Sequence, residues 1–416
     1  MKRGICITLA LICLFFAGCG ITEEPPTETW IVPGTDKPEP TTPITGVPTT
    51  EEPSSEGPAT DEPLTETPTT SIPVTTTPSS FPVATSINAT SGSALDIQLA
   101  ANAVSAIGGG TVYIPEGDYF LNGPVTIGSD ITLAGAGKDR TILRTIGPAM
   151  VIKASGDNIR ITGFSLISDD YDGGNGIVIE DNTDFRVDHL HIEGYSEQAA
   201  VFVSGRDTRG VIDHCEIIMK PVSSLGYGVV IYGDDTWKDD LRLGTEYAIF
   251  IEDNTFINTR HAVAANKGAY YVFRYNVVKQ GYSGHAVDAH GPYWGSNAGT
   301  QAVEIYNNVI IDPEASGSER AIGIRGGSGV IFNNIIRGYT YGIMLIIEDR
   351  QDLSSYPVYH QVHDLYIWNN SYDGEYGVIV QNENHATRFI MEGRDFFLSP
   401  KEGYEPYPYP HPLTLE

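Results

Sequence analysis

The chain has 416 residues, with 25 Lys and Arg against 53 Asp and Glu and a formal net charge of -28. Nucleic-acid binding needs a basic footprint to neutralise phosphate, and this balance excludes one. Of the four cysteines, Cys6, Cys13 and Cys19 fall at the start and only Cys215 lies in the region expected to fold, which excludes an intramolecular disulfide and a cysteine-rich zinc site there.

Lys2 and Arg3 precede an apolar run, Ile5 to Phe16, too short to span a bilayer as a stable anchor. The run ends at Phe16-Ala17-Gly18-Cys19, which resembles the lipobox of exported lipoproteins, with Phe where Leu is usual. That resemblance implies a signal peptide over 1–19, a lipid on Cys19, an extracellular cell-surface location, and attachment to the membrane through that lipid alone. Residues 20–85 are dense in Thr, Pro and Glu. They carry too few apolar side chains to offset the entropy of ordering, and their prolines favour an extended spacer. A disordered stalk is expected.

From residue 86 to about 400 the sequence repeats. A turn motif, a polar or Asn residue leading into apolar residues, recurs at Phe164, His189, His214, Asn254, Asn276, Asn308, Asn334 and Asn370. The shortest steps define a coil of about 22 to 26 residues, and longer steps carry insertions. A second motif follows each turn: a small residue, then alternating apolar positions, as in Gly176-Ile-Val-Ile, Ala262-Val-Ala-Ala, Ala286-Val-Asp-Ala and Ala321-Ile-Gly-Ile. Alternation at period two predicts short half-buried strands, and stacked coils give parallel sheets around a continuous core. Asn tolerates a left-handed backbone at tight turns, and its stacked amides can bond along the column.

These motifs resemble the pectin-lyase-like superfamily, the pectate lyase-like parallel β-helices. The resemblance implies an all-β fold, a single-stranded right-handed parallel β-helix of about ten coils over 86–400. It also implies an Asn ladder between the second and third sheets and an active site on the first sheet, to which the Gly-Ile-x-Ile strand belongs. Ser93 to Ile107 reads as an N-terminal capping helix with Leu95, Leu99, Ala103 and Ile107 on one apolar face. Residues 401–416, rich in Pro and Tyr, read as an extended tail along the outside.

On the first-sheet strands Val263, Ala265, Val287, Ala289, Ile322 and Ile324 are taken as inward. Alternation then turns out one column, Val230, Ala264, Asp288 and Gly323, and a second, Tyr232, Asn266, His290 and Arg325, with Lys267 at a strand end. Asn266, Lys267, Asp288, His290 and Arg325 would converge on an exposed polar face. Three insertions leave one corner: 233–240, the stretch at Gly291-Pro-Tyr-Trp, and the stretch holding Tyr356, Tyr359, His360 and His363. Tyr232, Trp237, Tyr293, Trp294 and Tyr359 are candidate sugar-stacking residues, and Asn266 a candidate substrate contact; packing the loops down is the alternative role for the aromatics. Asp234 and Asp235 are candidate Ca2+ ligands, and Asp169-Asp-Tyr-Asp-Gly-Gly-Asn resembles a calcium loop. His261 and His285 occupy equivalent positions and are expected to stack, as a turn element or as a catalytic or metal-binding pair.

Two family mechanisms can be compared with these residues. Ala289-His290-Gly291 and Ile324-Arg325 resemble polygalacturonase-like hydrolases, but Asn266-Lys267 stands where that family carries an Asp pair. The stretch Ala265-Asn266-Lys267-Gly268, Phe273-Arg274-Tyr275-Asn276 and Ala289-His290-Gly291 resembles the alginate- and chondroitin-lyase branch, with Ala289 where an Arg is usual. That resemblance implies β-elimination on a uronate polysaccharide: Lys267 or His290 as base, Arg325 as carboxylate partner, and Asp288 orienting His290 or binding a cation. The alternatives are a glycoside hydrolase and a non-catalytic glycan-binding or envelope module, in each case a monomer whose partner is a polysaccharide.

Overall fold

The computed structural model describes residues 85–147, 151–170, 173–196, 198–219, 225–238, 241–280, 285–292, 296–314, 320–348, 361–381 and 383–415. Strands fall into three sheets, one of twelve strands and two of ten, and each strand pairs in parallel with its equivalent in the next coil. One coil shows the path. Ile249–Glu252 runs in the second sheet, Thr255–Ile257 in the third, Val263–Asn266 in the first, and Tyr270–Arg274 returns to the second. This is the expected right-handed parallel β-helix.

The alternation motif does what the period requires. Val263, Ala265, Val287, Ala289, Ile322 and Ile324 all lie in one core that runs through the solenoid. The turn motif splits into two roles. The first residue of each pair takes the left-handed backbone: φ is 53° at His214, 56° at Asp253, 56° at Tyr275, 58° at Asn307 and 56° at Asn333. The second residue builds the ladder. Asn276, for example, donates from Nδ2 to Asn308 Oδ1 and to the Ile251 carbonyl, while its own backbone N–H is held by Asn308 Oδ1. Sheet register shows that Leu190 and Cys215, not His189 and His214, stand below Asn254 in this column. The amide ladder therefore begins at Asn254, whose Oδ1 accepts from the Cys215 backbone N–H.

The helix forms at Ala94–Ala106, N-capped by the Ser93 side chain, which accepts from the Asp96 N–H. Its buried face is Ala94, Ile97, Ala100, Ala101 and Val104. Leu95, Leu99 and Ile107 are 67%, 57% and 57% exposed, so the expected apolar face points to solvent. Both faces repeat at helical spacing; the one rich in Ala wins because small side chains let the helix lie closely over the first coil.

The tail lies along the outer face of the second sheet. Tyr404, Tyr407 and Leu413 join Phe250, Val272, Tyr306 and Phe332 in a second apolar cluster. Beneath it, Arg274 pairs with Glu252 at 2.6 Å and donates to the carbonyls of Tyr407 and Pro408. Arg186 likewise pairs with Asp213 and donates to the Leu413 carbonyl. Among the described residues no helix is long and apolar enough to cross a membrane.

Candidate functional site

The first sheet carries both expected columns. Register pairs Val230 with Ala264, Ala264 with Asp288, and Asp288 with Gly323; in the second column it pairs Tyr232 with Asn266. Asp288 therefore points away from the core, but it is not exposed. It is 0% exposed, roofed by side chains from neighbouring coils. Outward on a β-helix is not the same as solvated when the adjoining positions carry large polar groups.

Asp288 is the hub. Its Oδ2 lies 2.8 Å from His290 Nε2 and 2.5 Å from an Arg325 nitrogen, and its Oδ1 lies 3.2 Å from His285 Nε2. Arg325 also reaches Glu348 at 3.2 Å and touches His290 Nε2, while His290 Nδ1 faces Glu348 at 3.6 Å. His261 stacks on Tyr227 and lies 5.0 Å from the His285 ring, tilted by 43°. The expected His pair thus forms, but as part of this cluster. Gly323 makes room for it: a Cβ there would sit 2.5 Å from His285 Cδ2.

The hydrogen bonds fix two tautomers. Arg320 Nε donates to His285 Nδ1, so the proton of neutral His285 is on Nε2, which lies 3.2 Å from Asp288 Oδ1. His261 Nδ1 contacts the His285 carbonyl, so its proton is there and its Nε2 lone pair faces Asp288 Oδ2 at 3.9 Å. Charges sort accordingly. Burial would raise the Asp288 carboxyl, but Arg325 and His290 hold it well below its ordinary range. Burial holds His261 well below, and His285 below, the ordinary histidine value. Burial opposes charge on His290 too, yet Asp288 outweighs it and the pKa is raised. The result is two imidazoles that burial keeps from charging, beside His290, whose protonated form Asp288 favours, and Arg325; the last two face Asp288 and Glu348.

The other expected residues lie nearby in different roles. Lys267 takes φ 58°, and its Nζ lies 5.3 Å over the Tyr232 ring. Asn266 is 8% exposed and its Oδ1 accepts from the Lys267 backbone N–H, so its amide holds a turn. Trp237 packs on His363 with ring centroids 5.7 Å apart. Asp235 accepts from the Asn297 backbone and amide and from the Ala298 N–H, which joins the first two insertions at one corner. Asp234 accepts from Thr236 and from Arg206. Ca2+ at Asp234 and Asp235 would have to displace these donors, so the residues do not fit a ready oxygen cage, and among the described residues no group of three His, Cys, Asp or Glu side chains is arranged to hold a metal ion. Asp169 is bonded to Arg144, and Asp170 to Gly147 and Ser168. Cys19, Asp172, Tyr293, Trp294, Tyr356, Tyr359 and His360 lie outside the described residues.

Sequence reasoning did not join Tyr227, Arg320 or Glu348 to the site, and it singled out His261 and His285 as a stacked pair without placing them at Asp288. A signal existed for two of them: His285 precedes Asp288 by three residues, and Glu348 follows the next first-sheet strand, Tyr341–Leu345.

No curated protein sequence matches the chain. Among solved structures, the A-module of the Azotobacter vinelandii mannuronan C-5 epimerase AlgE6 is 16% identical, covering 69% of this chain and 85% of its own, with a TM-score of 0.42. An alginate lyase from Paenibacillus sp. is 16% identical, covering 71% and 99%, with a TM-score of 0.39. A tailspike protein of an Escherichia coli bacteriophage is 14% identical, covering 69% and 60%, with a TM-score of 0.49. A family model described as rhamnogalacturonase A/epimerase, pectate lyase-like, matches residues 87–310, more than half of the chain. With its coil register, its first-sheet cluster and this match, the chain belongs to that pectate lyase-like family.

Proposed function

We propose that this protein acts on a uronate-containing polysaccharide by abstracting a proton beside the sugar carboxylate, followed by β-elimination. The observation that carries the proposal is the Asp288-centred cluster on the first sheet of a pectate lyase-like chain. His290 and Arg325 form a cationic pair that retains 21% and 16% side-chain exposure. Such a pair can neutralise a substrate carboxylate and so acidify the adjacent C–H. Both His290 nitrogens already face carboxylates, which favours Lys267 over His290 as proton acceptor. Asp288 then orients His290 and keeps it charged. Hydrolysis needs a carboxylic acid able to donate, and a fully buried Asp288 held ionised does not suit that role.

A second reading has its own support. The charges of the cluster largely compensate one another, as in a structural polar network, and this favours a non-catalytic glycan-binding β-helix. One experiment separates the two. Purified protein is incubated with polygalacturonate, alginate and glucuronate polymers in D2O. Ultraviolet absorbance reports elimination, whereas deuterium at the abstracted position reports proton removal followed by reprotonation instead of elimination. The elimination reading expects the ultraviolet signal, and its loss in Lys267→Ala. Neither signal with any polymer would overturn it. We further propose that Cys19 carries the lipid anchor; Cys19→Ser should release the protein from membranes, and a variant that stays bound refutes the anchor.

A further inference from the structure

A cleft of ≈ 390 Å³ lies at the corner between the first and second sheets, under the 241–247 segment of the first insertion. It is separate from the Asp288 cluster: Asp288, His290, Arg325 and Glu348 do not line it, whereas Tyr232, whose ring Lys267 overlies, does. Its size suits one or two sugar residues rather than a chain. Three cations line it: Arg206, Lys238 and Arg242. Arg206 is shared with Asp234 at 3.4 Å and Lys238 with Asp207 at 3.2 Å, and Asp207 is 77% exposed. Arg242 is exposed and has no carboxylate partner among the described residues. In a chain of net charge -28, a concave site lined by three cations and one carboxylate, Asp207, with Arg242 unpaired among the described residues, favours an anion. The wall adds a planar apolar surface. Tyr247 is 57% exposed, with Arg209 5.9 Å from its ring centroid. An exposed tyrosine ring offers stacking for the apolar face of a pyranose.

The floor is fixed. Gln301 bonds the Lys238 backbone on both sides, accepting from its N–H and donating to its carbonyl. Glu304 holds the Gly244 N–H at 2.7 Å and the buried Tyr270 hydroxyl. The insertion is thereby anchored to the second sheet, so the cleft is preformed and costs little to organise on binding.

We infer that this corner cleft is a binding subsite for an acidic sugar residue, with Arg242 and Lys238 on its carboxylate and Tyr247 against its ring. The inference deepens the proposed function by supplying a hold on the polymer away from the reacting centre, but it does not require catalysis. The test uses the full chain carrying Lys267→Ala, so that no turnover occurs. Trigalacturonate and trimannuronate are titrated calorimetrically, with cellotriose as the uncharged control, and hydrogen exchange is followed over 241–249. Expected results are binding of the acidic trimers, protection of 241–249, and at least about tenfold weaker binding of cellotriose. Arg242→Ala and Tyr247→Ala should each weaken trimer binding by about tenfold and abolish that protection. Both side chains are exposed, so circular dichroism should be unchanged. Trimer binding and protection that survive both substitutions, or cellotriose binding equally well, would overturn the cleft. Polymer that is never processed, with trimer binding still sensitive to Arg242→Ala, would overturn the elimination reading and leave the cleft standing.

Discussion

Replacing Asp288 by Asn tests the centre of the site with almost no change in shape. The carboxylate accepts from Arg325 through two nitrogens, at 2.5 and 3.2 Å, and faces His290 at 2.8 Å and His285 at 3.2 Å. It is fully buried and His290 and Arg325 are only 21% and 16% exposed, so water screens these contacts weakly. Removing one partner of a buried charge group typically costs about 3–5 kcal/mol, because the partners stay buried and uncompensated. Linkage sets the pH window. Asp288 is depressed, so its contribution is present above the unfolded value near 3.9 and lost as pH falls below it. His290 is raised, so its contribution is full below the unfolded value near 6.5 and fades as pH rises through the folded value. The deficit of Asp288→Asn should therefore be largest between about pH 4 and 6.5 and shrink in alkali. Urea unfolding across pH measures the deficit, and NMR titration follows His290, whose pKa should fall once burial and Arg325 are opposed by Glu348 alone. A deficit under about 1 kcal/mol, with His290 still titrating high, would refute the account of Asp288 as the hub.

Three further outcomes follow from the same geometry. Asn308→Ala strips the Asn276 N–H and the Phe273 carbonyl of their partners, at about 1–3 kcal/mol for each buried orphan, and Asn370→Ala, which does the same to the Asn334 N–H and the Ile331 carbonyl at the half-buried ladder end, should cost less, as read by denaturant midpoints. Gly323→Ala drives a Cβ to within 2.5 Å of His285 Cδ2, so it should shift the His285 and His290 NMR signals and cost about 1–3 kcal/mol while leaving circular dichroism intact. His411 is buried under the tail, and burial with the nearby Arg274 pulls its pKa down to about 3. It stays neutral in the folded chain while the unfolded chain protonates near 6.5, so stability should fall by several kcal/mol between about pH 6.5 and 3, with an NMR titration of His411 as the direct check.

The coil, its inward residues and both outward columns were legible because each follows from a period: two along a strand and one coil between strands. What failed was what period alone leaves open. The helix offered two faces at the same spacing, and only the docking distance chose Ala100 and Ala101 over Leu95 and Leu99. The turn motif was one residue out of step at His189 and His214, because His and Asn both tolerate a left-handed backbone while only register shows that Cys215 underlies Asn254. The site was half legible. Asp288, His290 and Arg325 came from alternation, but Arg320 and Glu348 reach in from neighbouring strands, and alternation says nothing about how far a long side chain bends.

The two faces of the solenoid treat buried charge differently, and the difference bears on function. On the second sheet, Arg186 and Arg274 pair with Asp213 and Glu252 and are capped by tail carbonyls, so backbone seals them from any ligand. Their chemistry is used up in holding the strap. On the first sheet, among the described residues, side chains cover the charges around Asp288, and His290 and Arg325 remain partly open. A substrate carboxylate could compete for Arg325 by moving side chains alone, whereas reaching Arg274 would require the tail to leave. Buried ion pairs of similar composition thus divide into a structural set and a reachable set. It is reachability, rather than the presence of charge, on which the proposed first-sheet site rests.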